Sequence, residues 1–226
     1  MANAVAEPTR RRVRWARAIR IVPSRFPPVG VFDRVSAPGD LDAVYALEAM
    51  TNDRLRDQAG DIRCVDPARR LVGPGSTPVM AAFTHVPPEG SRFAEPPFSA
   101  FYCAREEATA IAETRFHREQ FLRATHEPST VIEMRAYVTK IDHVFHDIRV
   151  GFDAEHDPVS YGASRALAKR LRDIDSDGLV YRSVRRPGGQ CIAAFYPDCV
   201  GPCVQGGHFL YRWNGERIDV VAKATA

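Results

Sequence analysis

Apolar and polar positions switch between two periods along the chain, and the switches mark the expected elements. "IRIVPSRFPP" (19–28) reads as a short strand broken by Pro23, Pro27 and Pro28. "PGDLDAVYALEAMTNDRLRDQ" (38–58) changes to helical spacing, with Asp40 able to cap it and Leu41, Val44, Tyr45, Leu47 and Leu55 on one broken face. "PVMAAFTHV" (78–86) is a continuous apolar run and reads as a buried strand, followed by a loop, "PPEGSRFAEPP", and a second strand, "FSAFYCA" (98–104). A helix follows in which Ala108, Ile111, Ala112 and Phe116 extend a face begun by Ala104. Glu113 stands at its margin, with small Thr109 and Ala110 one turn back.

The second half is richer in strand. "STVIEMRAYVTKI" (129–141) alternates, and "SYGASRALAKRLRDI" (160–174) is an amphipathic helix with Ala163, Leu167 and Leu171 in register. "DGLVYRSV" and "QCIAAFYP" are strands joined by a turn containing "RRPGG". "HFLYRW" and "RIDVVA" form a final hairpin around Asn214-Gly215, a dipeptide that favours primed turns. The order predicts an α+β fold: one domain with a mixed, mostly antiparallel sheet.

Composition narrows the function classes without choosing one. The chain has 226 residues, 45% apolar and 26% charged, with a net charge of +3, so bulk electrostatics demand no nucleic-acid partner. No apolar run approaches the ~20 residues that span a bilayer. Five cysteines, an odd number, and the lack of a secretory pattern point to a reducing, cytoplasmic setting with free thiols. The stretch "TRRRVRWARAIRIVPSRF" is locally basic. It reads as an extension over 1–19, a solvated arm or short surface helix, ahead of a domain over 20–226.

Several motifs are excluded. "GPGS" lacks the Lys-Ser/Thr of a phosphate-binding loop. Cys199, Cys203 and His208 lack an evident fourth ligand, so no metal site is expected. What remains is a set of polar residues at element edges: Arg20 and Arg25, Arg92 in a loop, Tyr102 at a strand end, Glu113 on a helix and Ser183 at another strand end. Taken singly, each suits a surface charge, a core tyrosine or an ion pair.

Taken together, they resemble the RES family, named for an Arg, a Glu and a Ser. The carriers are "RIVPSRFPP", "GSRFAEPPFSAFYCAREEATAIAET" and "SDGLVYRSVRRPGGQCIAAFYP". The resemblance puts the first family arginine on Arg20 or Arg25, the second on Arg92, the tyrosine on Tyr102, the glutamate on Glu113 and the serine on Ser183. Phe93-Ala94 stand where compact members have Trp-Asn. The resemblance implies an ADP-ribosyltransferase-like fold and a toxin of a toxin–antitoxin module that cleaves the nicotinamide–ribose bond of NAD. Phosphate or water is the acceptor, NAD is a substrate, and no cofactor is needed. Glu113, Arg92 and Ser183 are the implied catalytic residues, and Arg20, Arg25, Arg92, Tyr102 and Ser183 the implied NAD-binding ones. It also implies a helix-turn-helix antitoxin as partner, leaving open whether the assembly is a homo- or hetero-oligomer.

The chemistry suits these residue types. Guanidinium groups bind a pyrophosphate through charge-assisted, bidentate bonds. As nicotinamide departs, positive charge builds on the ribose, and a nearby carboxylate stabilises it. Two alternatives use the same set: ADP-ribosyl transfer onto a protein, and a non-catalytic member that binds a partner.

Overall fold

The computed structural model describes residues 7–24, 33, 37, 43 and 60–224. Arg25 and nearly all of the helix expected over 38–58 lie outside them. Among the described residues, seven strands form one sheet: β1 (Thr9–Pro23), β2 (Phe101–Ala104), β3 (Thr130–Asp147), β4 (Gly178–Arg182), β5 (Gln190–Ala194), β6 (Val204–Trp213) and β7 (Ile218–Ala224). Three α-helices have described bounds: α1 (Thr77–Thr84), α2 (Glu107–Ala124) and α3 (Gly162–Asp173).

The hydrogen-bonded order is β1-β2-β5-β4-β3-β6-β7, and β1 also pairs with β3, so five of the strands close into a ring. Only β3–β4 runs parallel, through His146–Leu179 and Asp147–Val180. The sheet is therefore mixed and mostly antiparallel, as the sequence predicts. Along β4 and β5 the side chains alternate between two apolar cores. Leu179, Tyr181, Cys191 and Ala193 join one, which α2 and α3 cover, and Val180, Ile192 and Ala194 join the other, which α1 covers. Burial on both faces explains why these strands read as near-continuous apolar runs.

Three expectations need correction. The basic stretch is neither a solvated arm nor a helix. Its residues 9–23 are β1, which crosses the 19/20 boundary unbroken. Val13 and Trp15 point into the core, while Arg12 and Arg14 lie outward at 2.7 and 3.4 Å from Asp142. Such exposed pairs contribute little, ~0–1 kcal/mol, so burial of the alternate residues holds the strand. A register shift between Trp15 and Ala18 interrupts the alternation.

"PVMAAFTHV" is helix α1, not a strand: Pro78 occupies the first turn, where it costs no hydrogen bond, and Val79, Met80, Ala82, Phe83 and Thr84 are buried. Finally, the buried residues of α2 are Thr109, Ala110 and Leu122; Ala108 is exposed and Phe116 half-buried. Glu113 follows Thr109 and Ala110 by four and three positions, so it belongs to the inward face.

The final hairpin forms as expected. The Asn214 side chain accepts from the backbone N–H groups of Glu216 and Arg217, both at 2.9 Å, and Gly215 takes the positive φ of 97° that the turn requires. Among the described residues no helix is long and apolar enough to cross a membrane.

Candidate active site

β1 and β2 meet at a single pair, Ile19–Ala104, whereas β2 and β5 pair along all four residues of β2. Beyond that pair the strands separate, and a cleft of about 530 Å³ opens between them. That volume lies within the range typical of small-molecule sites, ~300–1,000 Å³. Arg20–Pro23 of β1 form one wall, Gly90–Arg92 of the loop before β2 another, and the inward face of α2 a third.

Glu113 lines this cleft. The Ser183 hydroxyl donates to its Oε1 at 2.6 Å, a charge-assisted bond that fixes the carboxylate's orientation. Ser183 directly follows β4 and is itself pinned: its hydroxyl accepts from the backbone N–H groups of Arg185 and Arg186, both at 3.1 Å, and its own N–H donates to Gly189 O at 2.8 Å. The "RRPGG" turn is pressed against α2. A Cβ at Gly189 would lie 2.7 Å from the Thr109 side chain, so only glycine permits this approach. Arg186 ties the turn to the start of α2 through Glu106 at 2.6 Å and Thr109 at 3.1 Å. Residues seventy positions apart are thereby brought into contact at the carboxylate.

Arg92 lies buried with its Nη1 donating to Asp157 O at 2.7 Å and Glu155 O at 3.3 Å, and its guanidinium stands 4.4 Å from the Tyr161 ring centroid. One edge is thus anchored on backbone carbonyls while the residue still lines the cleft. Arg20 stands on the β1 wall. It donates to Tyr102 O at 3.2 Å and lies 4.9 Å from the Phe101 ring centroid, and burial lowers its pKa from the ordinary guanidinium value.

Tyr102 also lines the cleft, and its hydroxyl is engaged rather than free. It bonds Ser91 Oγ at 2.7 Å and accepts from Phe93 N at 3.0 Å, which folds the Arg92 loop around it. Burial raises its pKa, so the phenol remains protonated. The structure thus brings Arg20, Arg92, Tyr102 and Glu113 around one opening, with Ser183 behind the carboxylate and bonded to it.

Two residues that the sequence reading passed over join them. His117 and Arg118 line the same cleft from the next turn of α2. Desolvation at the cleft, with Arg185, Arg92 and Arg118 nearby, pushes the His117 pKa down to about 4, although the residue as a whole is exposed. The ring is therefore neutral near pH 7. The available signal for Arg118 is helical spacing: unlike Arg115 and Arg123, each four positions from Glu119, it has no carboxylate three or four positions away. Both of those bind Glu119, at 3.2 and 3.3 Å.

Cys199 and Cys203 are buried in the core beneath α1, and His208 on β6 bonds Gln205 at 3.0 Å, so the three face different surroundings. Cys199 instead approaches His143 and Asp177, the three offering ligand atoms within 4.8 Å of one another. That cluster already holds a cation. Arg69 lies 2.6 Å from both Asp177 and Asp198 and 3.4 Å from the Cys199 sulfur. All five cysteines are unpaired thiols.

Comparison with known proteins adds an independent line. A family model described as RES domain matches residues 67–214, which include Arg92, Tyr102, Glu113 and Ser183 but not Arg20. A Sinorhizobium fredii protein described as uncharacterized protein y4oC is 31% identical over 209 residues, covering 89% of this chain and 85% of that one. Among solved structures, the M. tuberculosis MbcT–MbcA toxin–antitoxin complex gives a more distant likeness. Its TM-score is 0.46 at 11% identity, covering 90% of this chain and 87% of the matched one.

Proposed function

The chain belongs to the RES domain family, and from that premise we propose that its cleft cleaves the bond between nicotinamide and ribose in NAD, with phosphate or water as acceptor. The observation that carries this reading is the Glu113 carboxylate, oriented by Ser183 at 2.6 Å inside a cleft also lined by Arg20, Arg92 and Arg118. A site with one held negative charge among several cations suits a substrate that is anionic at one part and becomes cationic at another. NAD has both properties.

The arginines bind the pyrophosphate, each offering several N–H donors to its oxygens. Glu113 faces the ribose. The glycosidic C–N bond breaks with its electron pair passing to the ring nitrogen, so nicotinamide leaves neutral. Positive charge grows on the ribose ring as it leaves, and the carboxylate stabilises that charge. An oxygen of phosphate or water then bonds to the same carbon, the acceptor losing its proton to solvent. Ser183 acts on the carboxylate rather than on the substrate. It restricts Glu113 to one orientation, so little reorganisation is needed as charge develops. Tyr102 presents its ring to the cleft while its hydroxyl holds the Arg92 loop, so its first role is to position that arginine.

Within a RES-type module the protein acts as the toxin, and its partner is an antitoxin carrying a helix-turn-helix domain that covers the cleft. The test is the nucleotide product after purified protein meets NAD, with and without inorganic phosphate. ADP-ribose 1″-phosphate with phosphate present, or ADP-ribose without it, supports the reading. Intact NAD under both conditions contradicts it.

A further inference from the structure

The inward face of α2 continues past Glu113. At ~1.5 Å rise per residue, His117 stands roughly 6 Å further along the axis, with Arg118 beside it. Both line the cleft. Among the described residues, the Arg118 guanidinium makes no hydrogen bond or ion pair, and it lies 5.2 Å from the Phe121 ring centroid. Among the described residues the His117 ring makes no hydrogen bond or ion pair, and it stands edge-on to Phe116 with centroids 5.4 Å apart.

This vacancy is selective. The two other arginines on the body of α2, Arg115 and Arg123, share the Glu119 carboxylate and lie half-exposed. The helix therefore supplies a counter-charge to the arginines that face solvent and none to the one that faces the cleft. A partly desolvated cation without a partner is unfavourable, and burial already lowers the Arg118 pKa from its ordinary value. Binding an anion there removes that cost. Neutral His117 contributes an N–H without adding charge. Arg92, from the loop before β2, lines the same cleft as His117 and Arg118.

We propose that His117 and Arg118, together with Arg92, form a subsite for a phosphoryl group one helical turn beyond Glu113. The proposal deepens the reading of the cleft as an NAD site and rests on it for the source of the group. That group is either the dinucleotide's pyrophosphate or free inorganic phosphate waiting to accept the ribosyl carbon. His117 and Arg118 then determine specificity for the anion, alongside the arginine, tyrosine, glutamate and serine set.

Calorimetric titration of the full chain with two probes, inorganic phosphate alone and ADP-ribose, tests this without turnover. Arg118→Gln is expected to weaken at least one probe about tenfold, the scale of one lost charge-assisted contact. Arg118→Lys recovers part of the loss, and Arg115→Gln, which loses only a solvent-facing pair with Glu119, binds like wild type. Weakened ADP-ribose identifies the pyrophosphate as occupant, and weakened phosphate alone identifies the acceptor. Unchanged binding of both probes to Arg118→Gln, or no measurable binding of either to wild type, overturns the subsite. Failure of NAD cleavage is a separate result, read from nicotinamide release by the wild type.

Discussion

Replacing Ser183 with alanine separates the orientation of Glu113 from its charge. The wild-type hydroxyl makes three contacts: it donates to Glu113 Oε1 at 2.6 Å and accepts from the N–H groups of Arg185 and Arg186 at 3.1 Å. The first is charge-assisted and is worth ~1.5–3 kcal/mol, and loss of an acceptor of the capping kind costs about 1 kcal/mol. The turn stays tethered through Ser183 N to Gly189 O and Arg186 to Glu106, so the losses are not additive. We expect a net destabilisation of about 1–3 kcal/mol, a fall in Tm of roughly 2–12 °C for a domain of this size. The carboxylate keeps its charge but gains rotational freedom, so kcat falls roughly tenfold, equivalent to ~1.4 kcal/mol. Ser183→Thr retains the hydroxyl and recovers most of the rate. Differential scanning fluorimetry and nicotinamide release on the three proteins read both quantities. A Ser183→Ala protein with wild-type Tm and kcat refutes the claim that this hydroxyl orients Glu113.

Other outcomes follow from the same geometry. Arg92→Ala weakens NAD binding by about 2–5 kcal/mol, measured by titration, and also loosens the 155–157 segment that Nη1 braces; wild-type affinity would remove the arginine from the site. Native protein should react rapidly with a thiol reagent at Cys64 alone, the other four thiols being buried, and at all five cysteines once denatured; two or more fast thiols contradict the packing. Gly189→Ala pushes the "RRPGG" turn off Thr109 and lowers both Tm and turnover; unchanged turnover contradicts the close approach. The His117 pKa is depressed to about 4 in the folded chain, so between pH 6.5 and 4 the unfolded chain binds the extra proton. Stability contributed by this residue is therefore intact above pH 6.5 and declines as pH falls toward 4. His117→Asn should flatten that decline in acid melts, and an unaltered slope refutes the depressed pKa.

Much of the fold is legible from pattern because many elements obey one period. α3 buries Leu167, Ala168 and Leu171, and the last hairpin turns at Asn214-Gly215. The first part of β1 is not legible, because five arginines (Arg10, Arg11, Arg12, Arg14 and Arg17) are exposed along it and the register shift after Trp15 breaks the alternation that Val13 and Trp15 begin. The short run at 77–84 is buried nearly throughout, and a fully buried segment shows no period that separates helix from strand. The site divides in the same way. Family resemblance locates Arg92, Tyr102, Glu113 and Ser183. The contact between Glu113 and Ser183 depends on the β4–β5 turn packing onto α2, which no local spacing encodes. Arg118 differs from Arg115 and Arg123 in having no carboxylate three or four positions away, which helical spacing shows, but its place at the cleft is a property of three-dimensional packing.

The central claim is that the Glu113 charge stabilises the ribose as nicotinamide leaves. Glu113→Gln tests it most directly. Glutamine keeps nearly the same shape, and its carbonyl oxygen can still accept from Ser183, so the fold and NAD affinity should persist. Among the described residues no cation lies within ion-pair distance of Glu113, since Arg115 is held by Glu119, so no surface pair is lost. Removing one preorganised electrostatic group costs on the order of a hundred- to a thousandfold in rate. The measurement is single-turnover nicotinamide release at saturating NAD, wild type beside Glu113→Gln, with melting curves for both. A loss of at least a hundredfold with the melting curve close to that of the wild type is the predicted result. Equal rates would contradict the account and return Glu113 to an ordinary helix carboxylate.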